Sequence, residues 1–470
     1  MIDTISSDPS TDFCSDPDYS PDYSKLLADA ADRGARYLAS LPERRVWPER
    51  RAVDSLREAS ASPLPEAGTS AQTVLAELDA IAAPATVATA GPRYFGFVTG
   101  GALPAAVAAG MLSNAWDQNA FSRVSSPAGA ALEQIALGWA TDLLGLPSGC
   151  AAALTTGATI ANFTALAAAR HALLDREGWD VDARGLFGAP ELNVVVGAEV
   201  HPSVRKGLGM LGLGRERTIE LETDDQGCIR ADRLPRIDGP TIVCAQAGNV
   251  NSGGSDPFSA LRAWCDRTGA WLHVDGAFGL WAAASSSKRA LVAGVETADS
   301  WATDGHKWLN VPYDSGIAFV RDGDALRAAM SISAAYLPDP EGPDRDGRDP
   351  FQTSPECSRR ARGIELWAAL RNLGRSGVED LVDRCCRHAL RFASGLRAAG
   401  FDVLNDVVLN QVVVVFGDAA RTEDVIARIQ AEGICWCGVT HWKGRTAMRI
   451  SVSNWATSDA DVEASLDSML

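Results

Sequence analysis

Four short apolar runs, LNVVVGA at 192–198, PTIVCAQ at 240–246, AWLHVDGA at 270–277 and GIAFVRD at 316–322, lie in a stretch that is otherwise helical in its patterning. PAGAALEQIALGWATDLLGL and IANFTALAAARHALLDREG are two of the helical runs. Short strand-like runs separated by helical segments argue an α/β chain whose mainly parallel sheet is covered by helices on both faces. In such sheets ligands bind beyond the carboxyl ends of the strands. That rule singles out Glu199 and His201, Gln246 to Asn251, and Asp275 to Ala277.

The flanking segments differ in character. Residues 1–24 are rich in Asp, Ser and Pro and poor in large apolar side chains, which reads as a disordered tail. Residues 25–90 are helical in pattern but broken at Pro42, Pro63, Pro65 and Pro84, too little chain to enclose a core. They read as N-terminal helices that pack on another surface, a second subunit included. Residues 91–335 make the large domain. The segment 336–360 contains LPDPEGPDRDGRDPFQTSPECSRR, too long and charged for an ordinary connection, and reads as a mobile loop. Residues 361–470 hold two helical runs, then strands at QVVVVFG and AMRISVS around another helix, a smaller C-terminal α/β domain.

Composition removes several function classes. The formal net charge is −17 with no dense Lys/Arg run to offset it, so nucleic acid and an anionic membrane are poor partners. No apolar tract is long enough to span a bilayer. The first thirty residues lack the basic start and apolar middle of a secretory signal, and a cytoplasmic protein is expected. The ten cysteines show no paired CxxC spacing, so no metal is expected and the thiols read as reduced and structural. Cys435 and Cys437, flanking Trp436 in GICWCG, stay candidate pocket residues.

Four features converge on one chemistry. Asp275 closes a buried strand, where a carboxylate needs a cation or strong hydrogen bonds. Ala277, two residues on, is small enough to leave room for a flat ring. In LTTGATIANF, residues Thr156, Gly157, Ala158 and Thr159 stand where a loop enters a helix, and free amides with nearby hydroxyls suit a phosphate. His201 lies just past another strand, where an imidazole can stack on a planar ligand. Lys307 stands in WATDGHKWLNVPYDSG, 32 residues after Asp275. Burial disfavours an ammonium, and a neutral amine forms a Schiff base with a carbonyl. Together these describe a pyridoxal-phosphate pocket whose acid keeps the pyridine nitrogen protonated, so that the ring takes up electrons.

The marks TTGATIANFTALAAAR, HPSVRKG, HVDGAFG, ADSWATDGHKWLN and RISVSNWATSDADV resemble, in order and spacing, those of the group II pyridoxal-phosphate-dependent amino acid decarboxylases, relatives of glutamate and aromatic-L-amino-acid decarboxylases. The resemblance covers residues 90–465 and implies fold type I, the PLP-dependent transferase-like fold, in a homodimer with shared active sites. It implies Lys307 as the Schiff-base lysine, Asp275 as the acid at the pyridine nitrogen, Ala277 against the ring and His201 stacked on its face. Thr156 to Thr159 would surround the phosphate with His306 near it, and Asn249 and Asp304 would be further cofactor contacts. Arg449, opening RISVSN, matches the arginine that holds the substrate α-carboxylate, a task suited to a guanidinium fork.

Two departures from the family pattern bear on function. Asn249 in QAGNVNSGGSD stands where the family commonly has a threonine, and an amide still hydrogen-bonds. Many members also carry a loop tyrosine that protonates the carbanion left by carbon dioxide. Here the matching region, RDPFQ, holds Phe351, and Tyr336 lies well before it. A phenol delivers a proton and a phenyl ring does not. Some relatives with phenylalanine there let oxygen intercept the carbanion, giving an aldehyde, ammonia and peroxide. The expectation is a decarboxylase of an L-amino acid. Decarboxylation-coupled oxidative deamination or an aminotransferase-like reaction is the second reading, and a catalytically silent binding protein the third. Phe351 and Trp116 are candidate substrate contacts. Phe97, Phe121 and Trp436 are either further pocket aromatics or core.

Overall fold

The computed structural model describes residues 22–61, 63–332 and 349–470. Most of the expected tail, residues 1–21, and residues 336–348 of the expected loop, Tyr336 among them, lie outside the described residues. Three helices come first: α1 (Tyr23–Ser40), α2 (Arg50–Ser60) and α3 (Ala71–Ala82). Asp22 and Ser70 cap α1 and α3 by accepting backbone N–H groups. No residue of α1 or α3 is buried, and Tyr23, Leu27, Val74, Leu78 and Ile81 are exposed. Next come α4 (Pro104–Trp116) and α5 (Pro127–Leu143), which both start on proline, where a missing N–H costs nothing.

Seven strands form the large sheet. They are β1 (Ala151–Thr155), β2 (Asn193–Gly197), β3 (Ile219–Leu221), β4 (Thr241–Gln246), β5 (Trp271–Asp275), β6 (Ser300–Asp304) and β7 (Gly316–Val320). Their order is β1-β7-β6-β5-β4-β2-β3. The strands from β6 through β3 are parallel, and β7 runs antiparallel between β1 and β6. Strands β4 to β7 are buried at every position, as a sheet covered on both faces requires.

Alternate residues serve the two faces. Val194, Val196, Ile242, Cys244 and Trp271 pack toward α6 (Ala158–Arg176) and α8 (Pro202–Met210), and α10 (Gly323–Met330) joins that layer. The short α7 (Val181–Arg184) follows α6. Val195, Val243, Leu272 and Val274 pack the other way, with Leu261 and Trp264 of α9 (Phe258–Thr268). Asp275 follows Trp271 by four residues and so shares its face, the α6 side.

α11 (Gly363–Ala398) starts two residues past the expected boundary at 361 and breaks at Gly374, where φ is 61°. It packs on α4 and α5 and also on the smaller sheet, so it joins both parts. That sheet is antiparallel, in the order β10-β11-β9-β8, from β8 (Asp402–Val403), β9 (Gln411–Val415), β10 (Gly438–Trp442) and β11 (Arg445–Ser451). α12 (Ala419–Glu432) and α13 (Asp459–Met469) complete it. The alternation in the sequence therefore gives the expected α/β class.

Candidate active site

The exits of β2, β4 and β5, the strand ends singled out by the parallel pattern, lie in one sheet with that of β6, which faces the N-terminus of α6. Gly316 starts β7 directly opposite both Thr155 of β1 and Asp304 of β6. A Cβ on Gly316 would collide with the Gly157 backbone, so the Thr156–Gly157 turn lies flat against β7. Ala158 N donates to Asp304 Oδ1 at 2.6 Å, which fixes the start of α6 on the end of β6. Thr156 is exposed and Thr159 half-buried beside this turn, with the positive end of α6 behind them.

Asp304 is the hub of the next layer. Its Oδ2 lies 3.0 Å from Lys307 Nζ and 3.6 Å from His306 Nε2. Its backbone N–H bonds to Ala277 O, which ties the end of β6 to the turn after β5. His306 Nδ1 accepts from Ser315 N at 3.0 Å, so a neutral ring carries its proton on Nε2. Burial holds the His306 pKa below its ordinary value.

Asp275 is buried at the end of β5. Its Oδ1 accepts from Ala277 N at 3.2 Å, and its Oδ2, equally buried, has no hydrogen-bond partner. His201 caps α8, with Nδ1 accepting from Ser203 N at 3.2 Å. Burial pushes its pKa down, against the pull of Asp275, while Lys307 and Arg449 push the same way as burial. Asp304, a fourth charged group, pulls the same way as Asp275. Arg449, on β11, donates from Nη1 to Val250 O at 3.2 Å. Burial lowers its pKa, and no carboxylate of the described residues pairs with it.

Asn249 is engaged within the protein. Its Nδ2 donates to Glu199 Oε2, and its Oδ1 accepts from the amides of Asn251 and Ser252.

The aromatics sort differently from the sequence reading. Phe351 is buried at 4% exposure and stacks on Phe121 of its own chain, centroids 4.8 Å apart. Beyond it, Arg359 makes a bidentate pair with Glu133 of α5, both contacts 2.7 Å, and docks residues 349–360 beside β1. Trp116 ends α4 and is half exposed, with no ring contact to the Lys307 cluster. Trp436 is core: it is buried and stacks on Tyr94 at 5.1 Å, with Phe97 at 5.4 Å on its exposed side. Cys435 and Cys437 are fully buried in the main core, so they line no pocket, and burial raises the Cys437 thiol.

Sequence reasoning missed Tyr313. Its ring lies 4.4 Å from that of His306, and burial raises the pKa of its phenol against a lowering by nearby Thr99. A Cβ on Gly100, the next residue, would collide with the Lys307 carbonyl oxygen, so this loop lies directly on the lysine backbone. The available signal was Tyr313 standing six residues after Lys307, but only the turn at Asn310, with φ 57°, brings it back.

The conserved-domain model of the pyridoxal-dependent decarboxylases matches residues 54–416. The chain belongs to this family. It is 30% identical over 308 residues to the acidic amino acid decarboxylase GADL1 of Mus musculus, an alignment that takes in 64% of this chain and 55% of that one. The chain thus spans little more than half the length of that relative, and 58% of its Bos taurus counterpart. With tryptophan decarboxylase 1 of Oryza sativa subsp. japonica it is 27% identical over 469 residues, 92% of this chain and 90% of the other. The crystal structure of Oryza sativa TDC with PLP and tryptamine has the same fold, with a TM-score of 0.86 at 23% identity, over 97% of this chain and 98% of that one.

Pyridoxal phosphate is the cofactor of this family, and the residues present fit it. The buried Asp275 Oδ2 lacks a donor, which a protonated pyridine nitrogen supplies. The Thr156–Gly157 turn and the α6 N-terminus offer an anion cradle. The Lys307 amine stands beside Asp304 between them. Among the described residues no cluster of His, Cys, Asp or Glu could hold a metal, and no helix is long and apolar enough to cross a membrane.

Proposed function

We propose that the chain is a pyridoxal-phosphate-dependent decarboxylase of an L-amino acid, a carboxy-lyase. The observation that carries this reading is Asp275 Oδ2, a buried carboxylate oxygen with no partner inside the chain. Leaving a buried acceptor unpaired costs about 1–3 kcal/mol, more for a charged one. A site that keeps this cost is built for a donor that arrives with the ligand.

The cofactor, when bound, supplies an aldehyde for amines and a ring that takes up the electron pair of a broken α-carbon bond. Asp275 would hold the proton on the pyridine nitrogen. Lys307 Nζ would hold the aldehyde end of the cofactor, and Asp304, 3.0 Å away, fixes where that amine lies. Asp304 also ties the phosphate end to the lysine end through Ala158 N. His201, kept neutral by burial, would face the ring without adding a positive charge there. Arg449, buried and without a carboxylate of the described chain, would take the substrate α-carboxylate. Fixing that group would orient the α-carbon for cleavage of its bond to the carboxylate.

Phe351 favours a second outcome at the same site. Its phenyl ring, closed against Phe121, has no proton to give to the α-carbon. Release of carbon dioxide would then end in aldehyde, ammonia and peroxide when oxygen reaches the carbon first. A screen of the L-amino acids with the holoprotein, following carbon dioxide, peroxide and keto acid together, tests both. Carbon dioxide with amine supports the first, carbon dioxide with peroxide the second, and keto acid without carbon dioxide rejects both.

The chain works as a homodimer. The support is the exposed apolar face of α1 and α3, helices with no buried residue, joined by the half-exposed Trp116. A sedimenting species of monomer mass at micromolar concentration contradicts this. The nine described cysteines are all free thiols, which supports a reducing, cytoplasmic setting. A tagged chain found outside the cytoplasm contradicts that.

A further inference from the structure

Glu199 leaves β2 two residues before His201. Its Oε2 accepts from Trp442 Nε1 at 2.7 Å and from Asn249 Nδ2 at 3.2 Å. Its backbone oxygen accepts from Gln246 Nε2 at 3.1 Å. Among the described residues no Lys, Arg or His pairs with it, so the carboxylate spends its charge on two directed neutral donors. Gly227 walls the knot: a Cβ there would come within 2.6 Å of Glu199 Oε2 and 2.8 Å of Asn249 Nδ2.

The two donors belong to different parts of the molecule. Trp442 ends β10 in the small sheet and is buried with Val413, Val415 and Ala447, so its indole moves only with that sheet. β10 pairs with β11, the strand that carries Arg449. Asn249 lies in the loop after β4, and each of the next three residues bonds to the small sheet or its connections. Val250 O accepts from Arg449, Asn251 Oδ1 from Thr440 at 2.8 Å, and Ser252 O from Asn405 at 3.1 Å. Behind this row, Asn249 is anchored to Glu199 alone among side chains of other segments.

We propose that Glu199 is a positioning residue that locks the small sheet and the 249–252 loop onto the β2 exit, and so sets the gap between His201 and Arg449 that an amino acid fills. This rests on the decarboxylase reading for what fills the gap, but the lock itself does not.

Four cofactor-loaded variants test it: Glu199→Ala, Trp442→Phe, the double variant, and Glu199→Gln. Amino-acid affinity is read from the shift of the cofactor absorbance, and the lock from amide hydrogen exchange at 249–252 without amino acid. Glu199→Ala is expected to weaken affinity about tenfold with kcat within about threefold, and the double variant to be no weaker, as coupled partners require. Glu199→Gln, whose amide oxygen can accept the same two N–H groups, should stay within about twofold of the native affinity. Exchange at 249–252 should be about tenfold faster in Glu199→Ala and close to native in Glu199→Gln. Native exchange in Glu199→Ala, additive losses, or a Gln variant as weak as the Ala variant overturns the proposal. If no amino acid shifts the native absorbance, the decarboxylase reading has failed and the exchange result alone decides the lock.

Discussion

The two sides of the site are made in different ways. On the cofactor side, Asp275, Asp304, His306 and Lys307 come from two neighbouring strand exits and are held by bonds within one chain. On the proposed substrate side, the candidates Phe97, Trp116 and Phe351 come from three separate segments. The first two are exposed, and the third is closed against Phe121. The cofactor side is complete except for the donor missing at Asp275. In the proposed dimer, a second copy would cover the exposed candidates. The proposal thus places the shared chemistry on the sheet and substrate selection on the rim.

Breaking the cofactor side has the largest effect. Lys307→Ala removes the amine and is expected to lower kcat by about a thousandfold or more, because the covalent attachment goes with it. Turnover close to native in that variant would move the reaction centre away from the β6 exit. The boundary between the two sides comes next. Arg449→Ala should lower kcat/KM about a hundredfold, mainly through KM, with the cofactor absorbance unchanged. Arg449→Lys should recover only part of this, since an ammonium lacks the guanidinium fork. An unaltered KM would assign the carboxylate to another group. The substrate side gives the smallest effect. Phe351→Tyr is expected to raise the amine share of the products about twofold or more, read as the amine-to-aldehyde ratio. No change in that ratio removes Phe351 from the chemistry.

The same contrast explains what the sequence could tell. The exit of β5 is legible because a buried parallel strand is mostly apolar, so Asp275 stands out at its end, whereas Asp304, closing the more polar Ser300–Asp304, came only with the family resemblance. The turn from Gly157 into α6 is legible because a loop entering a helix leaves amides free. Arg449 follows from its place opening RISVSN in the family pattern. Contacts made by the return of the chain were not legible. Tyr313 comes back to His306 only through the turn at Asn310, and no periodicity announces that. Trp436 read as pocket or core with equal ease, since an aromatic between cysteines gives no sign of which way it points. Its stacking on Tyr94 decides for core. Nothing in the sequence signals that the Asn249 amide bonds to Glu199.

The most direct test of the account is where the cofactor attaches. The holoprotein is reduced with borohydride, digested, and the modified peptide sequenced by mass. The account predicts the cofactor mass on Lys307 alone. The mass on another lysine, such as Lys206, or on none, contradicts it.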